Sequence, residues 1–351
     1  MNATIRDPHK KIKVDFERAP LKVRLKEKYL TLFFAKKVLW YLFRLILLIG
    51  ITYVVLYPFI AKIMGSVMAF EDFQDSGVIL IPKNFTFDTY VAIFNELDYV
   101  TAFMNTFVIS IACAVIQTLV CCVIGYGFAK FKFKGSKWIF LLVMLTMIIP
   151  HPTLQLSLAK NFSEFDLAGP INTIIGGPGL FEVLGMGNGI DMSNTYFPFI
   201  ILSLVGLGFK NGLYIFLLRQ FFRGVPDELE ESAYIDGSGV FKTFVKIILP
   251  LSIPMMITVF LFAFSWQWTD TFYTNLFISP NAGVPLLTHL VDETPGSLLR
   301  AAQKYPEVDT RIFSAIRGTT GIMIILPLVI VYSFCQKFLV QGIERSGLTA
   351  D

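Results

Sequence analysis

Charge is scarce in this chain: Asp, Glu, Lys and Arg together make up 16% of its 351 residues, whereas a soluble domain has about 25%. Four cysteines and three histidines are scattered along it, which predicts packing thiols, no disulfide and no metal site. No apolar stretch lies close to the amino terminus, so no cleavable signal peptide is expected. A hydrophobic content of 54% predicts an integral membrane protein instead.

A nucleotide-binding loop is also missing. Residues 237–243 contain two glycines and a Lys-Thr pair, but not in the G-x-x-x-x-G-K-[ST] spacing that cradles phosphates. We therefore expect no cofactor and no ATP hydrolysis in this chain, so that energy for any transport comes from a partner. No Ser-His-Asp set, metal-ligand spacing or paired carboxylates at a membrane face is present either, which argues against an enzyme.

Long apolar runs are what the chain has in abundance. A spanning helix needs about 20 mostly apolar residues, and six segments meet that requirement. They predict an all-α membrane protein with a six-helix transmembrane domain in residues 38–337. The six segments are residues 38–61, 102–129, 138–158, 197–218, 253–277 and 318–335.

The distribution of Lys and Arg predicts how these helices cross the membrane. Basic residues are concentrated in the tail 1–37, in the loops 130–137 and 223–250, and at the carboxyl end, which includes the tail 338–351. These regions alternate along the chain, and basic loops face the cytoplasm. Both termini are therefore expected inside. Whether the basic tail binds anionic lipid, an ATPase or neither stays open.

The loop 223–250, called the hook below, is polar although it lies between two apolar segments. Pro226 suits a first helical turn, and the acidic residues that follow favour a helix amino end. Gly237 is predicted to take a positive φ and end this helix, and Ser238 is predicted to cap the next one. The hook thus predicts a helix-turn-helix that docks on a partner, with an ordinary solvated connector as the alternative.

The hook closely resembles the EAA loop of bacterial ABC importer permeases, in the form typical of carbohydrate permeases related to the maltose and glycerol-phosphate systems. Its EAA signature reads Glu231-Ser232-Ala233, with Ser for the middle Ala, and it is followed by Ile235-Asp236-Gly237 and Leu249-Pro250. Two further runs resemble the family. They are Leu56-Tyr57-Pro58 near the end of the first predicted helix and Leu218-Arg219-Gln220-Phe221-Phe222 just before the hook. The family's Trp-Asn of the fifth helix stands here as Trp268-Thr269-Asp270.

This resemblance implies the type I ABC importer permease fold and a permease subunit that moves a sugar or oligosaccharide across the bacterial cytoplasmic membrane by alternating access. The partners it implies are a second homologous permease, two ATPase subunits that bind ATP and Mg, an external solute-binding protein and membrane lipid, but no nucleic acid. The implied ATPase-docking residues are Glu231, Ser232, Ala233, Asp236, Gly237, Leu249 and Pro250. The alternatives are an ion-coupled secondary transporter and a membrane enzyme.

Three residues within the predicted spans are candidates for the translocation path. An ionisable residue at that depth faces a wet cavity or the bundle interior, so Lys210 either contacts the solute, marks a helix break or pairs with a partner-subunit carboxylate. Asp270 leaves the same alternatives, and a further alternative is that the two charges pair with each other. Trp268 clusters with Trp266, either to stack on sugar rings or to form an interfacial belt.

Overall fold

The computed structural model describes residues 20, 32–166, 183–184 and 189–345. Most of the predicted basic tail and residues 346–351 of the predicted carboxyl tail lie outside these residues. In the part of the chain that is described the elements are helical, and β pairing is confined to two isolated bridges.

The helices begin and end as follows. They are α1 (Leu32–Ser66), α2 (Asp88–Glu96), α3 (Tyr99–Lys130), α4 (Ser136–Ile148), α5 (Gln155–Ser163), α6 (Phe197–Leu204), α7 (Asn211–Arg223), α8 (Glu228–Ile235), α9 (Val240–Thr243), α10 (Leu249–Trp268), α11 (Phe272–Phe277), α12 (Gly296–Ala302) and α13 (Asp309–Arg345). Turns of 3-10 helix occupy Phe70–Phe73, His151–Leu154 and His289–Val291, and a π-helical turn occupies Phe244–Ile248.

Four helical runs in the described residues are long and apolar enough to cross a membrane, and a bent pair makes up to five. The four runs lie in α1, in α3, in the continuous stretch Val240–Trp268 and in α13. They carry the first, second, fifth and sixth predicted spans, although the fifth ends at Trp268 and not at residue 277. At 37 residues, α13 is about 55 Å long, so it extends past a hydrocarbon core of about 30 Å.

The third and fourth predicted spans are not single straight helices. The chain bends by 100° between Ser136–Ile148 and His151–Ser163, where Pro150 and Pro152 cannot donate backbone hydrogen bonds. The fourth span is divided into α6 and α7 by an irregular break at residues 205–210. Both breaks leave backbone groups without helical partners, which is tolerated at membrane depth beside protein or a wet cavity.

Beyond residue 61 the chain forms one compact unit, in which α3 packs along α7 and α10, and α10 packs along α13. Its buried core includes Tyr214, Leu218, Phe222 and Met255. Gly125 is required where α3 meets α7, since a Cβ there would lie 2.9 Å from Leu218 Cβ and 3.1 Å from a backbone nitrogen. This close approach fixes the position of α7, which connects the two regions described next.

Candidate functional site

A lysine at the end of α3 holds the first residues of the hook. Lys130 Nζ donates to the Val225 carbonyl at 2.7 Å and to Asp227 Oδ1 at 2.5 Å. The Lys130 side chain is almost fully buried, whereas the Asp227 side chain is exposed. The hydrogen bond from this ammonium, followed by its charge, holds the pKa of Asp227 below its ordinary value. The chain therefore enters α8 from a fixed point at the end of α3.

The turn after α8 has the geometry predicted from its glycine. Gly237 has φ +77°, its N–H donates to the Tyr234 carbonyl at 3.0 Å, and the Ser238 N–H donates to the Ala233 carbonyl at 2.9 Å. This pair of bonds is the Schellman ending of a helix, in which glycine avoids the strain of a left-handed conformation. The predicted cap at Ser238 is wrong: Gly239 occupies the N-cap of α9, and no side chain bonds there.

The implied docking residues divide into an outer and an inner set. Ala233 is buried, whereas the exposed set consists of Glu231, Ser232, Asp236 and Gly237. Leu249 and Pro250 begin α10, where Leu249 N–H donates to the Phe244 carbonyl in a π-type turn. Proline has no N–H for the regular helical bond, which explains why the ladder changes register just before Pro250.

The hook also exposes two large apolar side chains that sequence reasoning did not single out. Ile235 is 86% exposed and Phe241 is 80% exposed, and both lie next to the Gly237 turn. Their position in a polar loop between two apolar spans was the available signal. Single exposed apolar residues are ordinary, but these two flank one turn and add exposed apolar surface to a loop that also exposes acids. Such a surface fits a cleft in another protein better than it fits water.

A cavity of about 340 Å³ lies at the opposite, amino-terminal end of α7. The 100° bend after α4, the break between α6 and α7, and the end of α10 enclose it. Its volume is at the lower end of the range for small-ligand sites, about 300–1,000 Å³. Side chains and glycines from all three places line it, among them Met147, His151, Gly208, Lys210, Asn211 and Trp266.

Lys210 lies at a helix break, which is one of its predicted alternatives, and it also lines the cavity, while contact with the solute stays a prediction. It is the N-cap of α7 with φ 64°, an uncommon conformation for a residue other than glycine. Its Nζ lies 5.1 Å from the ring centroid of Phe209 and 5.0 Å from that of Trp266. Among the described residues the Lys210 ammonium makes no hydrogen bond and no ion pair.

Asp270 is held by a different set of groups. It lies in the break between α10 and α11, so the predicted fifth span 253–277 is interrupted there. Its carboxylate accepts the N–H groups of Phe272, Tyr273 and Thr274 at 3.2, 3.3 and 2.9 Å. These bonds cap α11. Asp270 does not form the ion pair with Lys210 that the sequence left open, because backbone donors already satisfy its oxygens.

Trp268 is buried and does not line the cavity. It is 1% exposed, and its Nε1 donates to the Ile324 carbonyl at 2.9 Å. Its ring meets Phe103 edge to face at 5.5 Å. Trp266 lines the cavity instead, because residues two apart point about 200° apart around a helix. An interfacial belt does not describe Trp268, whose indole is part of the core.

Sequence reasoning missed a group of polar side chains at the wall of the cavity, where Asn211 lines it and Gln117 and Ser203 do not. Gln117 Nε2 donates to Ser203 Oγ at 3.0 Å, and Asn211 is buried with neither amide atom hydrogen bonded. Gly208 admits these amides, since a Cβ there would lie 2.9 Å from Gln117 Nε2. The signal was present in the sequence, because amide side chains inside apolar segments are costly and line paths or interfaces.

Comparison with known proteins gives one family and several relatives. Residues 121–345 match the family described as binding-protein-dependent transport system inner membrane component. The chain is 28% identical over 262 residues to the alpha-glucoside transport system permease protein AglG of Rhizobium meliloti. The match covers 75% of this chain and 60% of AglG. It is 26% identical to the arabinooligosaccharides transport system permease protein AraQ of Halalkalibacterium halodurans, covering 85% of this chain and 92% of AraQ.

One solved structure shares the fold. It is the crystal structure of a bacterial ABC transporter involved in the import of the acidic polysaccharide alginate. The two align with a TM-score of 0.62 and 20% sequence identity, over 86% of this chain and 97% of the matched chain. At that identity the likeness shows the helical permease fold alone.

Proposed function

Because this chain belongs to the family of binding-protein-dependent transport system inner membrane components, we propose that it carries a sugar or oligosaccharide through the membrane as the permease subunit of an ATP-driven importer. Membership of the family makes it a membrane transport subunit and not an enzyme, with ATPase and solute-binding proteins as partners. The relatives named for alpha-glucosides and arabinooligosaccharides support a carbohydrate as the solute.

The observation that carries the proposal is the hook. A polar helical turn with an apolar tip projects between two membrane segments, and the rest of the chain offers no reason for it. We assign Glu231, Ser232 and Asp236 to direct contact with the ATPase, beside Ile235 and Phe241. The other docking residues are assigned mechanical roles: the buried Ala233 holds α8 in place, Gly237 shapes the turn, and Leu249 and Pro250 pass its movement to α10.

The proposed topology has six crossings and both termini in the cytoplasm. The four long runs, the bent pair and the broken pair α6 and α7 provide the six crossings, and the basic loops provide the orientation. The proposed assembly contains a second homologous permease, two ATPase subunits that bind ATP and Mg, and a solute-binding protein outside the cell. ATP-driven closure of the ATPases would move the hook and turn the cavity from one side of the membrane to the other.

The proposed path runs through the cavity at Lys210. Trp266 and His151 line the same cavity and offer ring faces and polar edges to a solute. Asp270 and Trp268 lie behind this lining, and we assign them the role of holding the ends of α10 and α11 in place. An ion-coupled transporter would rely on intramembrane carboxylates, whereas the carboxylate of Asp270 is occupied by a helix end.

Affinity purification from native membranes in mild detergent tests this assignment at one residue. Gly237→Val places a β-branched residue at positive φ, where it is strained, whereas Gly237→Asn keeps a residue that tolerates this conformation. No neighbouring atom lies within 4 Å of a Cβ at this position, so both variants should fold. We expect mass spectrometry to find an ATPase and a second permease with the wild type and with Gly237→Asn, and loss of the ATPase alone with Gly237→Val.

Two results would overturn the proposal. One is a wild-type chain that purifies without any ATPase. The other is solute uptake into vesicles that continues without ATP and stops when an ion gradient is dissipated, which would favour the secondary transporter.

A further inference from the structure

The charge that lines the cavity has one sign. Lys210 is the cation, and none of the described side chains that line the cavity is a carboxylate. The Asp270 carboxylate accepts three backbone N–H groups, and Lys210 forms no ion pair with it or with any other described residue. Two aromatic rings stabilise the ammonium through their faces, but they leave its N–H donors without conventional acceptors. The cavity therefore carries an uncompensated positive charge.

The backbone adds to this positive field. The cavity is lined by the N-cap and the first three residues of α7, which are Lys210, Asn211, Gly212 and Leu213. A helix of 13 residues carries a partial positive charge at its amino end, and here that end opens on the cavity. An anion bound at this point would be stabilised by the Lys210 ammonium and by the helix together.

The remaining lining suits a sugar ring that bears the anion. Trp266 presents an aromatic ring 5.0 Å from Lys210 Nζ, and the His151 ring lies against Phe209 with 4.5 Å between ring centroids and a tilt of 38°. Asn211 also lines the cavity and has a buried amide with no hydrogen-bond partner among the described residues, which can bond a hydroxyl group. Ring faces, an amide and a cation within one cavity are the groups that a charged saccharide unit needs.

We infer that this cavity binds an anionic saccharide unit, with Lys210 receiving its carboxylate or phosphate group. The inference rests on the proposed function of sugar import and narrows its substrate class from sugars in general to acidic sugars. The same recognition chemistry serves a uronate carboxylate and a sugar phosphate, so the test includes one probe of each kind.

The test uses the complex that copurifies with the chain, placed in lipid nanodiscs without ATP or the binding protein. Its tryptophan fluorescence is titrated with galacturonate, galactose 6-phosphate and neutral galactose, because Trp266 lies beside Lys210. Trp266→Phe shows which part of the signal comes from the cavity. We expect one or both acids to change the signal at concentrations where galactose does not.

Three lysine variants separate charge from structure. Lys210→Met should weaken the apparent affinity for the acid about tenfold or more, the factor that corresponds to 1.4 kcal/mol. Lys210→Arg keeps the charge and should bind within a few-fold of the wild type. Lys160→Met removes an exposed lysine on α5 that does not line the cavity, and it should leave the titration unchanged.

The outcomes distinguish the inference from the function on which it rests. Failure of the ATPase to copurify would remove the proposed function before any titration. A response to galacturonate alone identifies a carboxylate, a response to the phosphate alone identifies a sugar phosphate, and both support the inference. Equal responses to acid and galactose, no response to either acid, or an unchanged Lys210→Met would overturn it. So would loss of the second permease from Lys210→Met, which would assign the lysine to a carboxylate of that partner.

Discussion

Replacing Phe241 by alanine should separate docking from folding in the hook. The side chain is 80% exposed, so the chain loses little packing when it is removed. Surface substitutions of this kind change the free energy of unfolding by about 0.5 kcal/mol or less. The thermal unfolding midpoint of the purified chain in detergent should therefore stay close to that of the wild type.

Binding to the ATPase should respond much more strongly. Full burial of a phenylalanine side chain contributes about 1.5–3 kcal/mol, so its loss lowers an association constant roughly tenfold to 150-fold. Ile235, which is 86% exposed on the other side of the turn, should give an effect of the same order when truncated. Because the two side chains lie at one tip, their effects need not add.

The assay measures association of the purified ATPase with immobilised, detergent-solubilised chain. Phe334→Ala provides the matched control, since Phe334 is 76% exposed but belongs to α13 and not to the hook. A tenfold or greater loss for Phe241→Ala with no loss for Phe334→Ala is the expected pattern. Equal affinities for the two variants would refute docking through this tip, whatever the other interactions of the hook.

Three further predictions concern the parts of the fold that hold the hook and the cavity. The pKa of Asp227 is held below its ordinary 3.8 by the lysine that closes α3. The stability that this carboxylate adds to the fold is therefore present above pH 3.8 and is lost as the pH falls through the lowered pKa. Unfolding midpoints from about pH 6 to about pH 2.5 should show this loss in the wild type and not in Asp227→Asn. Gly125→Ala forces a Cβ against α7 and should lower the free energy of unfolding by about 1–3 kcal/mol. Gly127→Ala has open space in the same helix and should raise it by up to about 1 kcal/mol. Thermal unfolding of both variants and the wild type tests this, and equal effects would contradict the packing. Asp270→Ala should lower the free energy of unfolding by about 0.5–2 kcal/mol, because a helix cap is lost. The double variant with Lys210→Ala should show the plain sum of the two single changes, because the groups do not pair. Partial rescue in the double variant would contradict the geometry.

The sequence predicted the helical class and most of the long spans because apolar runs of this length have few alternatives. The first, second and sixth segments each fall on one long helix, and backbone groups in lipid can be satisfied only within such helices or closed barrels. Gly237 was predictable for a similar local reason, since a residue that follows a short acidic helix and can adopt positive φ is a natural helix end.

The breaks were harder to predict, because hydropathy averages over a window and does not register where a helix stops. The segments at 138–158 and 197–218 are as apolar as the others, yet one bends by 100° and the other is interrupted before Lys210. Proline pointed to the first break. At the second, the glycines and a left-handed lysine depend on how α6 and α7 pack against α3, which no local pattern records.

The sequence by itself determined that this is a helical membrane protein with a polar hook, because burial of apolar residues and the turn at Gly237 are local requirements. Only the tertiary structure decided which of two neighbouring tryptophans meets the cavity, that Asp270 caps a helix, and that Lys210 forms no ion pair with the described residues. Each of these depends on which groups from distant parts of the chain come within a few ångströms of one another. Such distances follow from packing of helices, and a linear order of residues does not contain them.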